Sequence, residues 1–325
     1  MTISGADIPY FTLNNGTKIP SVGMGCWMGE PGGGEAVRDM CVKALAAGYR
    51  HFDTAAGYSN EEQVGAALRE SGIPREELFV TTKLGPDHEH VRERLDESLE
   101  KLGLDYVDLY LIHWPFAMKD DKMLSPDQFP TIVDTWKQME KLLDTGKVKS
   151  IGVSNFSIKT LSEILPHCKV IPAINQVETH PYLPHHGLKK FCESHGIRLT
   201  AYSPLGQPPA ADKQTTVPAL FADATIAALS KKHGATTAQV LISWCVQRGV
   251  ICIPKSANVE RMTKNITLLK FDDADMQTID NLHKEEGKHR QLIVYPYSQP
   301  REVFGYKYEW LGWNRTAEGL ALDDE

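Results

Sequence analysis

Residues 79–113 decide how the fold is read: Phe79-Val80-Thr81-Thr82-Lys83-Leu84, then Val91, Leu95, Leu99 and Leu102 at helical spacing, then Gly103, and finally Val107-Asp108-Leu109-Tyr110-Leu111-Ile112-His113. A β-branched run, an amphipathic helical stripe, a glycine suited to a left-handed turn and a second apolar run form one β/α unit, and a crossover of this kind joins parallel strands. The alternation recurs along the chain. Strand candidates are Val22 to Cys26, Arg50 to Thr54, Phe79 to Leu84, Val107 to His113, Ser150 to Ser154, Ala173 to Val177, Arg198 to Ser203 and Val250 to Pro254. Ile132, Trp136, Met139 and Leu143 form a second clear helical stripe, and Gly48, Gly146 and Gly196 mark further helix ends. This pattern predicts an α/β fold, a closed (β/α)8 TIM barrel, with any active site at the carboxyl ends of its strands. A doubly wound sheet is the alternative, but Gly23-Met24-Gly25-Cys26-Trp27-Met28-Gly29 is spaced G-x-G-x-x-x-G rather than as the dinucleotide-binding turn.

Three decorations are expected on the barrel. Asn14-Asn15-Gly16, flanked by Tyr10 to Leu13 and Thr17 to Ile19, predicts an N-terminal β-hairpin whose turn residues both accept positive φ. Two helical patterns between Ala222 and Arg248, broken near His233-Gly234, predict an extra helix before strand eight. Pro204 to Pro218 and the tail after Gly287 read as long loops near a site. No composition shift marks a boundary, so residues 1–325 are expected to form a single domain.

Composition narrows the function classes. The 35 Lys and Arg against 42 Asp and Glu give −7, and no dense basic run occurs, so neither nucleic acid nor an acidic membrane is an expected partner. The start Met1-Thr2-Ile3-Ser4-Gly5-Ala6-Asp7 lacks a basic and apolar leader, and a cytoplasmic location is expected. Cys26, Cys41, Cys168, Cys192, Cys245 and Cys252 form no C-x-x-C pair, which argues against disulfides or zinc. His88-Glu89-His90 and His185-His186 lack metalloprotease spacing, so no metal is expected. Asp323-Asp324-Glu325 reads as a solvated tail.

Polar residues gather at the strand ends: Asp53, Lys83, His113, Asn155, Gln176, Tyr202-Ser203 and Lys255-Ser256. Alone, each has a structural explanation, as a cap, a solvated rim or a satisfied barrel histidine. Together they converge on one mouth. The motifs around them are Gly48-Tyr49-Arg50-His51-Phe52-Asp53-Thr54-Ala55-Ala56-Gly57-Tyr58, Leu111-Ile112-His113-Trp114-Pro115, Ile151-Gly152-Val153-Ser154-Asn155-Phe156 and Ile253-Pro254-Lys255-Ser256. In these motifs, and over essentially its whole length, the chain resembles the aldo-keto reductases.

The resemblance implies a catalytic tetrad of Asp53, Tyr58, Lys83 and His113, with a nicotinamide cofactor held across the barrel mouth. It assigns Ser154, Asn155 and Gln176 to the carboxamide and Tyr202 to stacking on the ring, and it adds Ser203, Leu205, Lys255, Ser256, Asn258, Arg261 and Asn265 to the cofactor contacts. Trp27, His113 and Trp114 are the implied substrate walls. Carbonyl reduction leaves an alkoxide that needs a proton, and a phenol of pKa near 10 needs a cation beside it to give one readily. Lys83 is expected to lower the Tyr58 pKa, Asp53 to hold Lys83 charged, and a neutral His113 to orient the carbonyl. Lys255 and Arg261 flank a helix start capped by Asn258, a setting that suits a 2′-phosphate and favours NADPH over NADH. Two positions depart from the family pattern. Lys264 stands where many members carry a glutamate, and Gly85 stands where many carry a tryptophan over the substrate, which implies a wider pocket.

Tyr295, Tyr297, Phe304, Tyr306, Tyr308, Trp310 and Trp313 make the tail similar to the family's C-terminal substrate-covering loop, and Phe304 to Trp313 resembles fungal members acting on polyols and small sugar aldehydes. The expected activity is NADPH-dependent reduction of aldehydes or ketones, reversible with polyols, by a monomer or weak homo-oligomer. A sugar or uronate reductase proper is an alternative. A different class is a cofactor-binding regulatory subunit, because the barrel also resembles the cytoplasmic β subunits of potassium channels.

Overall fold

A computed structural model describes residues 8–206, 220–293, 295 and 301–323. Its centre is an 8-stranded parallel sheet, β1 (Met24–Gly25), β2 (His51–Asp53), β3 (Phe79–Leu84), β4 (Val107–Ile112), β5 (Val148–Ser154), β6 (Ile174–Glu178), β7 (Arg198–Tyr202) and β8 (Ile251–Cys252), paired in chain order. A parallel bridge between Val22 and Cys252, with Gly23 N–H donating to the Cys252 carbonyl at 2.8 Å, closes the sheet on itself. Each strand lies within its expected segment, except that β5 begins at Val148 and β6 ends at Glu178. Closure excludes the doubly wound alternative.

Alternation along the strands separates two cores. Phe79, Leu109, Leu111, Ile174 and Ile251 point into the barrel and pack on Leu13 and Ile19 of the hairpin, while Val80, Leu84, Tyr110 and Ile112 face outward onto the helices. The period of 2 therefore also turns Lys83 inward, since it shares a face with Phe79. The hairpin pairs Tyr10–Thr12 with Lys18–Pro20, antiparallel. Its turn differs from expectation. Gly16 has φ +84°, but Asn15 lies outside the left-handed region, because the loop is the three residues Asn14-Asn15-Gly16, closed by Gly16 N–H on the Leu13 carbonyl at 2.9 Å and Leu13 N–H on the Thr17 carbonyl at 2.8 Å, and such a loop needs only its last residue left-handed. Asn15 Nδ2 donates to the Lys149 carbonyl and Ser150 Oγ at 3.0 and 2.9 Å. The hairpin thus plugs the amino-terminal end of the barrel and leaves the carboxyl end for chemistry.

Helices α1 (Gly34–Ala46), α2 (Glu61–Glu70), α3 (Val91–Leu102), α4 (Ile132–Leu142), α5 (Ile158–Ile164) and α6 (His186–Ser194) follow β1 to β6. The interval before β8 holds α7 (Ala224–His233) and α8 (Thr237–Gln247), separated by Gly234 at φ +60°, so the extra helix is present. In α3 the stripe Val91, Leu95, Leu99 and Leu102 is buried, and Gly103 ends the helix at φ +61° with its N–H on the Glu100 carbonyl. Gly48, Gly146 and Gly196 also adopt positive φ.

Where α2 crosses α3, a Cβ on Gly65 would fall on the Leu102 carbonyl oxygen, which also accepts from Arg69. Backbone cannot rotate away as a side chain can. Gly65→Ala is therefore expected to lower unfolding stability by about 1–3 kcal/mol despite its better helix propensity. An unchanged urea midpoint would refute that close approach.

The tail departs from the loop expected. Glu302–Val303 pairs with Tyr306–Lys307, and a single helical turn covers Tyr308–Leu311. Phe116, Val303, Tyr306, Tyr308 and Leu311 bury one another, so aromatic density substitutes there for periodicity. Most of the expected loop from Pro204 to Pro218, Tyr297, and Asp324-Glu325 lie outside the described residues.

Candidate active site

Strand register builds the centre of the site. Asp53 ends β2 opposite Thr81, and Lys83 stands two residues further along β3, so both side chains enter the barrel at its carboxyl end. Tyr58 follows β2 on a single 3-10 turn, Ala56–Tyr58. Lys83 is fully buried, and its ammonium donates to Asp53 Oδ1, to the Thr54 carbonyl at 2.9 Å and to the Tyr58 hydroxyl oxygen at 3.3 Å. Three donors meet three acceptors, which immobilises the ammonium. The second carboxylate oxygen of Asp53 accepts from Gln176 Nε2 at 2.7 Å.

Because Lys83 donates to the Tyr58 oxygen, the phenol hydrogen points away from Lys83. The Tyr58 ring lies 5.0 Å from the Trp27 ring and 5.5 Å edge-on from the His113 ring. No hydrogen bond to the His113 ring occurs among the described residues; its backbone carbonyl accepts from Asn155 Nδ2 at 2.9 Å.

The electrostatics differ from expectation at Tyr58. Burial raises its pKa above the ordinary phenol value, outweighing the lowering by Lys83, while Asp53 adds to the rise. The main cause is the loss of water around a buried phenol, which disfavours the phenolate. Asp53, in contact with Lys83, offsets part of the lowering that a lone ammonium would exert. Burial opposes the charge on Lys83, but Asp53 overcomes it and holds the lysine pKa up. Burial, then the Lys83 charge, pushes His113 well below the usual imidazole range. Near neutral pH the site therefore holds a protonated phenol, a charged lysine and a neutral imidazole.

Around the mouth, Ser154 Oγ donates to the Gln176 carbonyl at 2.8 Å, and Asn155, in the left-handed region at φ +64°, accepts from the Tyr202 hydroxyl at 2.6 Å. Ser203 has φ +47° and turns the chain after β7, its carbonyl accepting from Gly206 N–H at 2.9 Å, and Leu205 packs against the main core. After β8, Asn258 caps α9 (Val259–Asn265) through the Arg261 N–H at 2.9 Å, and Ser256 Oγ accepts from Asn258 N–H at 3.2 Å. Lys255 and Arg261 are exposed and make no ion pair among the described residues, whereas Lys264 pairs with Glu260 at 2.7 Å. Asn265 is buried.

Trp27 is 36% exposed over Tyr58. Trp114 sits in an aromatic cage, its ring centre 5.7 Å from Phe116 and Phe304, 5.4 Å from Tyr295 and 5.9 Å from Trp313. Open space surrounds the place a Cβ on Gly85 would occupy, in keeping with a pocket wide on that side. Two participants were not singled out in the sequence. Thr54 acts through its carbonyl, which no side-chain motif reveals. Glu178, at the next position after the expected strand six, accepts the Leu292 and Ile293 N–H groups at 2.6 and 3.0 Å, and its only sequence signal was an acid at a strand end.

The aldo/keto reductase family model matches residues 21–284. The chain belongs to that family. This aldo/keto reductase is 43% identical over 297 residues to the aldehyde reductase YPR1 of Saccharomyces cerevisiae, covering 86% of this chain and 92% of the relative. It is 43% identical over 315 residues to a glycerol 2-dehydrogenase (NADP(+)) of the same yeast, covering 90% and 96%. A crystal structure of a Bombyx mori aldo-keto reductase in complex with NADP is similar at a TM-score of 0.80 and 37% identity, covering 88% of this aldo/keto reductase and 95% of that chain.

Proposed function

We propose that this aldo/keto reductase reduces aldehydes and ketones to alcohols with NADPH, and oxidises polyols in reverse, with Tyr58 as the proton donor. The observation that carries the reading is the set of three hydrogen bonds from Lys83, which turns the proton of a neutral phenol toward the mouth beside an imidazole free to donate. The nicotinamide, when bound, supplies the hydride. His113 donates to the carbonyl oxygen and fixes its position, and Tyr58 then delivers its proton to the alkoxide. Lys83 meets the phenolate left behind, and Asp53 and Gln176 keep Lys83 in place.

The residues present fit the cofactor. Ser154, Asn155 and Gln176 group hydroxyl and amide functions at the mouth, suited to a carboxamide, with the Tyr202 ring beside them for stacking. Lys255, Ser256, Asn258 and Arg261 present two exposed cations and a capped helix start, suited to a 2′-phosphate, with Asn265 below and Ser203 and Leu205 leading out of β7. Trp27, His113 and Trp114 form the substrate walls in this reading. No helix among the described residues is long and apolar enough to cross a membrane. The proposal includes a cytoplasmic protein, monomeric or weakly self-associating, whose partner is a small carbonyl compound or polyol.

Absorbance decay of NADPH and NADH in parallel, with glyceraldehyde, an aromatic aldehyde, a pentose and a uronate, tests the reading. Rapid oxidation of NADPH is the expected result, and the ranking of substrates separates a general reductase from a sugar or uronate reductase. Tight cofactor binding with no carbonyl turned over would favour the regulatory class instead. Lys255→Ala with Arg261→Ala should weaken NADPH by about 10²- to 10⁴-fold, since each charge-assisted contact contributes about 1.5–3 kcal/mol, and should alter NADH far less. Equal loss of both cofactors in fluorescence titrations would argue against a 2′-phosphate site.

A further inference from the structure

Glu178 and Tyr202 are paired neighbours in the register of β6 and β7. Glu178 is buried, and its Oε1 binds His180 Nε2 at 3.0 Å as well as the two backbone N–H groups of the C-terminal segment. The start of that segment is thereby fastened beside Tyr202, and Tyr295 reaches the Tyr202 hydroxyl at 2.8 Å.

Tyr202 has one hydroxyl hydrogen, and it goes to Asn155 Oδ1, so Tyr295 is the donor to the Tyr202 oxygen. Asn155 Nδ2 donates to the His113 carbonyl at 2.9 Å and to Ser154 Oγ at 3.2 Å, which uses both of its hydrogens. The His113 carbonyl can only accept, so it fixes which end of the Asn155 amide is Nδ2; Oδ1 then takes the Tyr202 hydrogen, Tyr295 holds the Tyr202 hydroxyl in that direction, and a lone pair of Oδ1, an acceptor, is left for a ligand. A carboxamide N–H is the complementary group.

Resting on the cofactor reading above, we infer that Tyr295 is a positioning residue for the nicotinamide end of the cofactor, acting through Tyr202 and Asn155. The C-terminal segment then serves both ligands. Its ring, 5.4 Å from Trp114 and 5.8 Å from Phe304, bounds the substrate side, while its hydroxyl orders the carboxamide side.

A double-mutant cycle on the full-length chain separates the two contributions. NADP+ affinity is measured by calorimetry, and turnover beside it, for wild type, Tyr295→Phe, Tyr202→Phe and the double variant. Tyr295→Phe keeps the ring and is expected to weaken NADP+ about 3- to 10-fold, the range for one neutral hydrogen bond. The double variant should bind no more weakly than the weaker single, because a broken chain cannot be broken twice. Tyr295→Leu should show the same cofactor loss and, in addition, a raised KM for aromatic aldehydes. Wild-type affinity in Tyr295→Phe, or losses that multiply in the double variant, would overturn the inference. A wild-type chain that binds NADP+ without turning over any carbonyl defeats the proposed function, while the binding cycle still decides this point; failure to bind NADP+ defeats both.

Discussion

Tyr58→Phe is expected to lower carbonyl reduction by about 10²- to 10⁴-fold while NADPH binding persists, because it removes the proton and leaves the ring that packs on Trp27. The pH dependence gives a second check. Burial raises the Tyr58 pKa, so the proton-bearing form prevails below the ordinary phenol value of about 10. Reduction should therefore stay level through neutral and mildly alkaline pH and fall only beyond that value. Alcohol oxidation needs the phenolate and should rise over the same range. His113 is already neutral near pH 6.5, so it should add no inflection there. Near wild-type turnover in the phenylalanine variant would remove Tyr58 from the proton-donor role.

The second large effect belongs to Lys83→Met, which leaves the buried Asp53 carboxylate without its cation. Loss of one partner from a buried pair costs about 3–5 kcal/mol, because desolvation of the remaining charge is uncompensated. Two groups keep partial contact with the site after the change, since Gln176 Nε2 still donates to Asp53 and the Tyr58 ring still packs on Trp27. Neither replaces a charge. Adding Asp53→Asn should restore much of the lost stability without restoring activity, because the double variant buries no charge but also cannot fix the phenol. Chemical denaturation of the single and double variants reads this directly. A double variant no more stable than Lys83→Met would mean that the Asp53 charge is not the source of the loss.

The barrel strands were legible because each carries a local record of its environment. Phe79 to Leu84 and Val107 to Ile112 are β-branched and apolar runs buried on both faces, as a strand between a barrel interior and a helix layer must be, and the stripe of α3 repeats at the helical period. The tetrad was legible for the same reason. Once Lys83 is placed on β3 with Phe79, the period of 2 turns it inward, and motif resemblance supplied its partners. The tail was not legible as structure, since Phe304 to Trp313 bury aromatic rings against Phe116 and Trp114 across the fold instead of along a local period.

By itself, then, the chain determined the order of strands and helices, the hairpin ahead of the barrel, and the gathering of polar residues at the strand ends. Those follow from periodicity and backbone geometry, which are properties of neighbouring residues, whereas the tetrad was read from the family resemblance. Tertiary structure alone decided that Tyr58 stays a high-pKa phenol despite the adjacent lysine, and that Tyr295 reaches Tyr202. Both depend on distances between residues far apart in the chain. A phenol's pKa turns first on how far the fold buries it, and then on whether a carboxylate offsets the nearby cation. A hydroxyl finds its acceptor only where the folded path of the tail sets it down.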